Sequence, residues 1–248
     1  MREARRPDSA FWVEPEAAVD GRVRLSAEES HHLLDVFRAV PGAPFRAVDG
    51  AGHTFECVLE SVQGPVAIGR ILDSSTNRGE LSIPISLVVG LQDAGSADVV
   101  VAHAVPLGAS RIDFVACERS GRPALGASRL ARLERIARAA TKQSLRSCLV
   151  SLHSSASLGD ALGGLTVGIG FYADPMGETE IPSPSGRIQH AVVLAVGPPG
   201  GFTEDEREAL QSRRFSPISL GPSRLTTETA AITLLAIARN RLDTKDLP

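Results

Sequence analysis

Lysine and cysteine are scarce in this sequence, and each shortage constrains the reading. Only Lys142 and Lys245 are lysine, so nearly all of the 26 basic side chains are arginine. The formal net charge is −3, which excludes a basic protein that coats RNA. Any nucleic-acid contact must come from a local patch or from a paired subunit. Arginine suits bidentate phosphate contacts, although the bias reads mainly as genome composition. The cysteines number three, Cys57, Cys117 and Cys148, and lie far apart. They lack metal-ligand spacing and read as buried or free thiols in a reducing cytoplasm. No apolar run is long enough to span a bilayer. The opening Met1-Arg-Glu-Ala-Arg-Arg-Pro7 lacks the apolar segment of a secretory signal. A cytoplasmic protein with no membrane partner is expected. Internal repeats and low-complexity tracts are also missing.

What is present is 248 residues, 43% hydrophobic, enough for one large domain or two smaller ones. The chain is organised around two stretches near its end. In Leu194-Ala-Val-Gly-Pro-Pro-Gly-Gly-Phe-Thr203, an apolar run of buried-strand length, Ala191 to Val196, breaks at Gly197 to Gly201. Glycine-rich backbone can turn this tightly and still let a ligand approach. Thr203 with Glu206 is a capping-box start for a helix over 204–212. Leu220-Gly-Pro-Ser-Arg-Leu-Thr-Thr-Glu-Thr-Ala230 repeats the plan: a strand ends, Gly221-Pro222 turns, and Thr226 or Thr227 caps an apolar helix to Arg239. Two such strand ends suggest one ligand pocket built largely of backbone, or two ordinary strand-to-helix turns. Neither stretch matches G-x-G-x-x-G or G-x-x-x-x-G-K-[ST], so the usual dinucleotide and phosphate-loop readings lack support.

Residues 1–77 read as mostly β. Short runs at 11–13, 45–48, 55–59 and 66–71 alternate with turn residues and suggest a small barrel. Ser26-Ala-Glu-Glu29 opens a helix that continues through His31 to Arg38. His31 and His32 have only Asp35 at helical ligand spacing, so no metal site is expected. Arg38 could meet phosphate or sit on a solvated face. The polar run Asp73 to Glu80 reads as a linker. Beyond it the pattern turns α/β. Strands are expected at 85–91, 111–116, 149–152, 167–172, 191–196 and 216–220. Helices are expected at 97–105, 128–147 and 204–212. Alternation of this kind implies a largely parallel sheet covered on both faces. On the 128–147 helix, Arg129, Arg132, Arg135 and Arg138 lie off the apolar stripe. They form a phosphate-tracking face, or a solvated face with Glu134–Arg138 as an i,i+4 pair.

Gly197-Pro-Pro-Gly-Gly-Phe202 followed by Leu220-Gly-Pro-Ser-Arg-Leu-Thr-Thr-Glu-Thr-Ala230 resembles the paired C-terminal motifs of the RsmE family. Cys117-Glu-Arg-Ser120, Gln143-Ser144-x-Arg146 and the His31 to Arg38 segment resemble further elements of that family. Its members are bacterial methyltransferases of the SPOUT class. They methylate N3 of a uridine in small-subunit ribosomal RNA with S-adenosylmethionine (SAM). The resemblance implies a PUA-like RNA-binding β-barrel over 1–77. It also implies an α/β SPOUT domain with a C-terminal trefoil knot over 78–248. By carry-over, Gly197, Gly200, Leu220, Gly221, Pro222, Ser223, Arg224 and Leu225 bind SAM, with help from a strand end near Tyr172. Arg146 and Arg224 are the catalytic candidates, and Arg38, Arg119 and Arg146 the RNA contacts. No metal is implied. Glu228 is a helix-dipole partner or a polar site residue.

The resemblance further implies a homodimer acting on small-subunit ribosomal RNA or the assembled small subunit. The last helix is apolar on more than one face, which agrees with pairing. Departures concern polar positions. Pro106, Lys142 and Pro199 each stand where the family has glutamate, and Thr226 stands where it has arginine. At Gln92-Asp93 a family lysine is absent. These changes predict weakened or redirected methyl transfer. The competing reading is a non-catalytic RNA- or ribosome-binding protein that keeps the fold and the SAM pocket.

Overall fold

A computed structural model describes residues 7–90, 93–178, 180–181 and 191–242. The chain divides into two compact units, Met1–Glu80 with Arg138–Leu149, and Leu81–Ala137 with Val150–Pro248.

The first unit is a six-stranded sheet curled into a half-barrel. Its strands are β1 (Phe11–Trp12), β2 (Ala18–Val19), β3 (Arg22–Arg24), β4 (Pro44–Val48), β5 (His53–Gln63) and β6 (Val66–Thr76), in the order β1-β4-β5-β6-β3-β2. β1 runs parallel to β4, and every other pairing is antiparallel. Phe11, Val23, Leu25, Leu33, Phe45, Ala47 and Leu59 pack together in its core. Shifts of register between β5 and β6 at Glu56/Cys57 and Leu59/Ser61 bend the long hairpin, as bulges do. The short β2 and β3 have too few residues to show a period. Residues 73–76, expected in a linker, continue β6 as far as the Thr76↔His53 pair. Their polar side chains are largely exposed, so the backbone ladder holds the strand without an apolar pattern.

Helix α1 (Ala27–His31) starts where Ser26 Oγ accepts the Glu29 amide at 3.2 Å. The expected continuation to Arg38 rewinds into a π-turn over His32–Val36 and stops at Arg38, whose φ is +53°.

The second unit is an α/β layer with an all-parallel sheet. Its elements are β7 (Ile85–Gly90), α2 (Ala94–Ala104), β8 (Ala109–Val115), α3 (Ala127–Ser144, of which the part from Arg138 belongs to the first unit), β9 (Ser151–Ser155), α4 (Leu158–Gly163), β10 (Ile169–Glu178), β11 (Val192–Val196), α5 (Glu204–Ser212), β12 (Phe215–Ile218) and α6 (Thr227–Leu242). The strand order is β12-β10-β11-β7-β8-β9. The expected strands and helices are present, with shifted bounds. β9 begins two residues later than its apolar pattern, and Leu91 and Gln92 lie outside the described residues. Helix α4 has six residues, too short for a helical period to register. Helix α3 ends before Ser147 because Leu145 turns left-handed at φ +59°.

Three of the four arginines of α3, Arg129, Arg132 and Arg138, are committed to ion pairs. Arg129 and Arg132 reach Asp98 on α2 at 2.6 and 2.8 Å. Arg138 goes to Glu14 at 3.1 Å and lies over the Trp12 ring at 4.8 Å. The expected phosphate-tracking face is therefore largely spent on the protein itself.

Candidate active site

Strands β10, β11 and β12 are neighbours in the sheet, and the second half of β10 together with the loops after β11 and β12 lines one cavity of about 590 Å³. β11 is buried along its whole length and delivers the first loop. At Gly197 a Cβ would lie 2.9 Å from the Phe202 amide nitrogen, and Gly201 holds φ +70°. Both positions therefore demand glycine. The loop ends in the capping box of α5: Thr203 Oγ1 accepts the Glu206 amide at 3.3 Å and Glu206 Oε2 accepts the Thr203 amide at 2.9 Å. The second loop follows β12, turns at Gly221 with φ +108°, and enters α6. Thr226, not Thr227, takes the cap position. Its carbonyl accepts the Ala230 amide at 2.9 Å, while the buried Thr227 hydroxyl donates to the Gly197 carbonyl at 3.2 Å. The two loops are thus stitched together.

All eight residues expected to bind a cofactor, Gly197, Gly200, Leu220, Gly221, Pro222, Ser223, Arg224 and Leu225, line this cavity. Arg224 is exposed and donates from Nη2 to the Pro199 carbonyl at 2.9 Å, a second bridge between the loops. Tyr172 itself is buried in the core, its phenol accepting from Gln211 Nε2 at 3.1 Å. The cavity instead meets the residues after it, Ala173 to Met176. Asp174, Met176 and Arg207 are lining residues that sequence reasoning missed. The strand expected over 167–172 runs on as β10 through Asp174 and Met176, and Arg207 lies on α5, where no local pattern shows that it meets the cavity. Asp174 Oδ1 accepts the Met176 amide at 2.8 Å. Arg207 is held by Glu204 and the Phe202 carbonyl. The Glu204 carboxylate beside its guanidinium raises its pKa.

Other candidate residues lie elsewhere. Arg119 Nη1 donates to the carbonyls of Gly200 at 2.8 Å and Phe202 at 3.2 Å, so it touches the back of the first loop. Arg146 belongs to the first unit. It is buried, with Nη2 on Glu80 Oε2 at 2.5 Å, and Glu80 also accepts the Ser147 and Cys148 amides. Lys142 is tied to Glu29 at 2.5 Å, so its charge is answered within the first unit. Arg38 is exposed. Pro106 occupies the turn between α2 and β8. Glu228 is half-buried in the first turn of α6, with Oε2 buried and unpartnered. His31 pairs with Asp35 at 2.7 Å, and among the described residues no group of three or more potential ligands could hold a metal. Cys117 lies behind the first loop with its pKa pushed up to about 12 by burial and by Glu206. No helix among the described residues is long and apolar enough to cross a membrane.

A parallel α/β sheet with a cavity at three adjacent strands, lined largely by two glycine- and proline-rich loops, is an arrangement in which α/β proteins hold small molecules. The family model for an RNA methyltransferase domain matches residues 79–239, and the chain belongs to that family. A second model, for the RNA methyltransferase PUA domain, matches residues 25–71. The resemblance to RsmE proteins is borne out by curated relatives named ribosomal RNA small subunit methyltransferase E. The one from Synechocystis is 26% identical over 236 residues, covering 90% of this chain and 75% of the relative. The one from Bacillus subtilis is 25% identical and covers 86% and 87%. Among solved structures, the enzyme of that name from Neisseria gonorrhoeae, bound to S-adenosyl methionine, superposes with TM-score 0.81 at 25% identity, over 94% of this chain and 97% of that one. A probable rRNA-methyltransferase from Porphyromonas gingivalis shares the fold with TM-score 0.80 at 24% identity, over 94% and 98%.

Proposed function

We propose that this protein is a SAM-dependent methyltransferase that methylates N3 of a uridine in small-subunit ribosomal RNA. The observation that carries the reading is the cavity at the ends of β10, β11 and β12, in a chain of the RNA methyltransferase family. Its volume of about 590 Å³ falls within the range of small-molecule sites, roughly 300–1,000 Å³. The fit to SAM rests on the loop backbone. Glycine and proline make up most of the two loops that line the cavity, so a ligand there meets peptide groups that suit adenine and ribose edges. When bound, SAM supplies a methyl group on a positively charged sulfur, which is already activated for transfer.

The protein's task is then alignment and removal of the N3 proton. Gly197, Gly200 and Leu220 to Leu225 are assigned to holding the cofactor, with Leu220 and Leu225 excluding water. Arg224 uses one nitrogen on Pro199. Its remaining N–H donors are assigned to the charge that develops on the base. Arg146, enclosed by Glu80, is assigned to holding residues 146–148 rather than to RNA.

Residues 1–77 are proposed as the PUA-like RNA-binding domain and 78–248 as the SPOUT domain with its C-terminal knot. In addition to Arg38, which is outside the sheet, the sheet of the first unit carries Arg22, Arg24 and Arg70, all exposed, with Arg22 directly opposite Arg70. Like charges facing each other across strands are unfavourable unless an anion answers them. Here Glu60 pairs with Arg22 at 2.6 Å and also feels the charge of Arg70, and RNA phosphate is assigned to Arg38 and Arg24. Pairing into a homodimer in the cytoplasm completes the reading. Because Pro199 lacks both the carboxylate and the amide of the family's glutamate, transfer is expected to be slower than in such relatives.

Calorimetry with SAM tests the cofactor assignment. Saturable binding is expected, and Gly221→Trp should abolish it, because the new side chain would strain the positive-φ turn and enter the cavity. No binding by the wild type across salt and temperature would refute the reading.

A further inference from the structure

We infer that Arg119 is a positioning residue that sets the cofactor loop from behind, with Glu206 fixing the turn that carries it, and that it does not contact RNA. The inference rests on the proposal that the loop binds SAM. The Arg119 guanidinium bonds two carbonyls of one loop, those of Gly200 at 2.8 Å and Phe202 at 3.2 Å. Its stem lies along Gly200, where a Cβ would fall 3.1 Å from Arg119 Cδ. The turn beneath it, residues 117–120, is itself pinned: the Cys117 amide donates to Ser120 Oγ at 3.0 Å, and the Glu118 amide donates to Glu206 Oε1 at 3.1 Å.

The other oxygen of Glu206 accepts the Thr203 amide at 2.9 Å, at the far end of the same loop. Glu206 is 8% exposed, so one nearly buried carboxylate ties the loop's end to the turn that carries Arg119. Turning loop carbonyls toward Arg119 orients the peptide planes of 200–203 and so sets which backbone groups face the cavity. A charged donor on two neutral acceptors is among the stronger hydrogen-bonding arrangements. An arginine so engaged has fewer donors left for phosphate.

The test separates the cofactor from the RNA. Arg119→Ala should weaken SAM binding roughly ten-fold or more, as expected for losing hydrogen bonds to a charged donor. The Michaelis constant for RNA and the salt dependence of RNA binding should stay at wild-type values. Arg119→Lys should restore part of the SAM affinity by reaching one carbonyl. Gly200→Ala, which crowds the Arg119 stem from the loop side, should weaken SAM binding in the same direction. Should Arg119→Ala fold poorly, the Lys and Gly200 variants carry the comparison. Unchanged SAM affinity would overturn the inference. So would a raised RNA Michaelis constant with a salt slope reduced by about one, the mark of a lost phosphate contact. If the wild type binds no SAM, the proposed function fails instead. The positioning role then stands or falls on faster amide exchange at 200–203 in Arg119→Ala.

Discussion

Cys117 sits where its thiol cannot ionise at ordinary pH. Burial first, and the Glu206 carboxylate second, raise its pKa from 9.0 to about 12. The raised value means that the folded state holds the proton more tightly than the unfolded state. Its contribution is therefore whole below pH 9.0 and is lost as pH climbs toward 12. Urea unfolding at pH 11 should show about 2–3 kcal/mol less stability than at pH 8 from this group, and Cys117→Ser should flatten that dependence. An unchanged slope would place the titration elsewhere. Lys142 is a second residue whose meaning changed with structure. From sequence it was a reversed charge near the chemistry, whereas it is the partner of a nearly buried Glu29. Restoring the family's residue with Lys142→Glu should set two carboxylates against each other and destabilise the first unit by about 3 kcal/mol, measured by denaturant midpoint. A stable variant with increased methyl transfer would show the opposite.

The elements around the cavity were legible wherever backbone chemistry leaves a mark. Gly197 to Gly201, the Thr203–Glu206 box and Gly221 each have one physical explanation, and all stand where the sequence placed them. What sequence could not show was which side chains turn inward. The arginines that looked like RNA contacts, Arg119 and Arg146, are engaged by carbonyls and by Glu80, because partner choice between distant segments carries no local signal. The side of the cavity formed by Ala173 to Met176 was not legible because β10 runs on beyond the apolar pattern that ends at Tyr172. Gly90, at the end of β7, shows a further long-range constraint. A Cβ there would lie 2.4 Å from the Pro198 nitrogen and 2.8 Å from the Gly197 carbonyl carbon. Gly90→Ala should therefore displace the first loop and weaken SAM binding about ten-fold, a cost within the range of overpacking a tight site. Wild-type affinity in that variant would mean that the loop has slack the geometry does not show.

At the scale of the whole molecule, α6 keeps Ile232, Ala236 and Ile237 half-exposed beside a fully buried stripe, and α2 presents Val99 at 40% exposure. An apolar second face of this kind suits a copy of the same chain, and light scattering at micromolar concentration should report a dimer. A monomer would defeat that part of the proposal. The account as a whole turns on methyl transfer. The most direct measurement incubates the protein and radiolabelled SAM with small ribosomal subunits from a strain lacking its own enzyme, then maps the label. The account expects label in the small-subunit RNA on N3 of a uridine, lost in Gly221→Trp and increased in Pro199→Glu with Thr226→Arg. Tight SAM binding with no label from the wild type or from that double variant would contradict it, and would leave a non-catalytic RNA-binding protein.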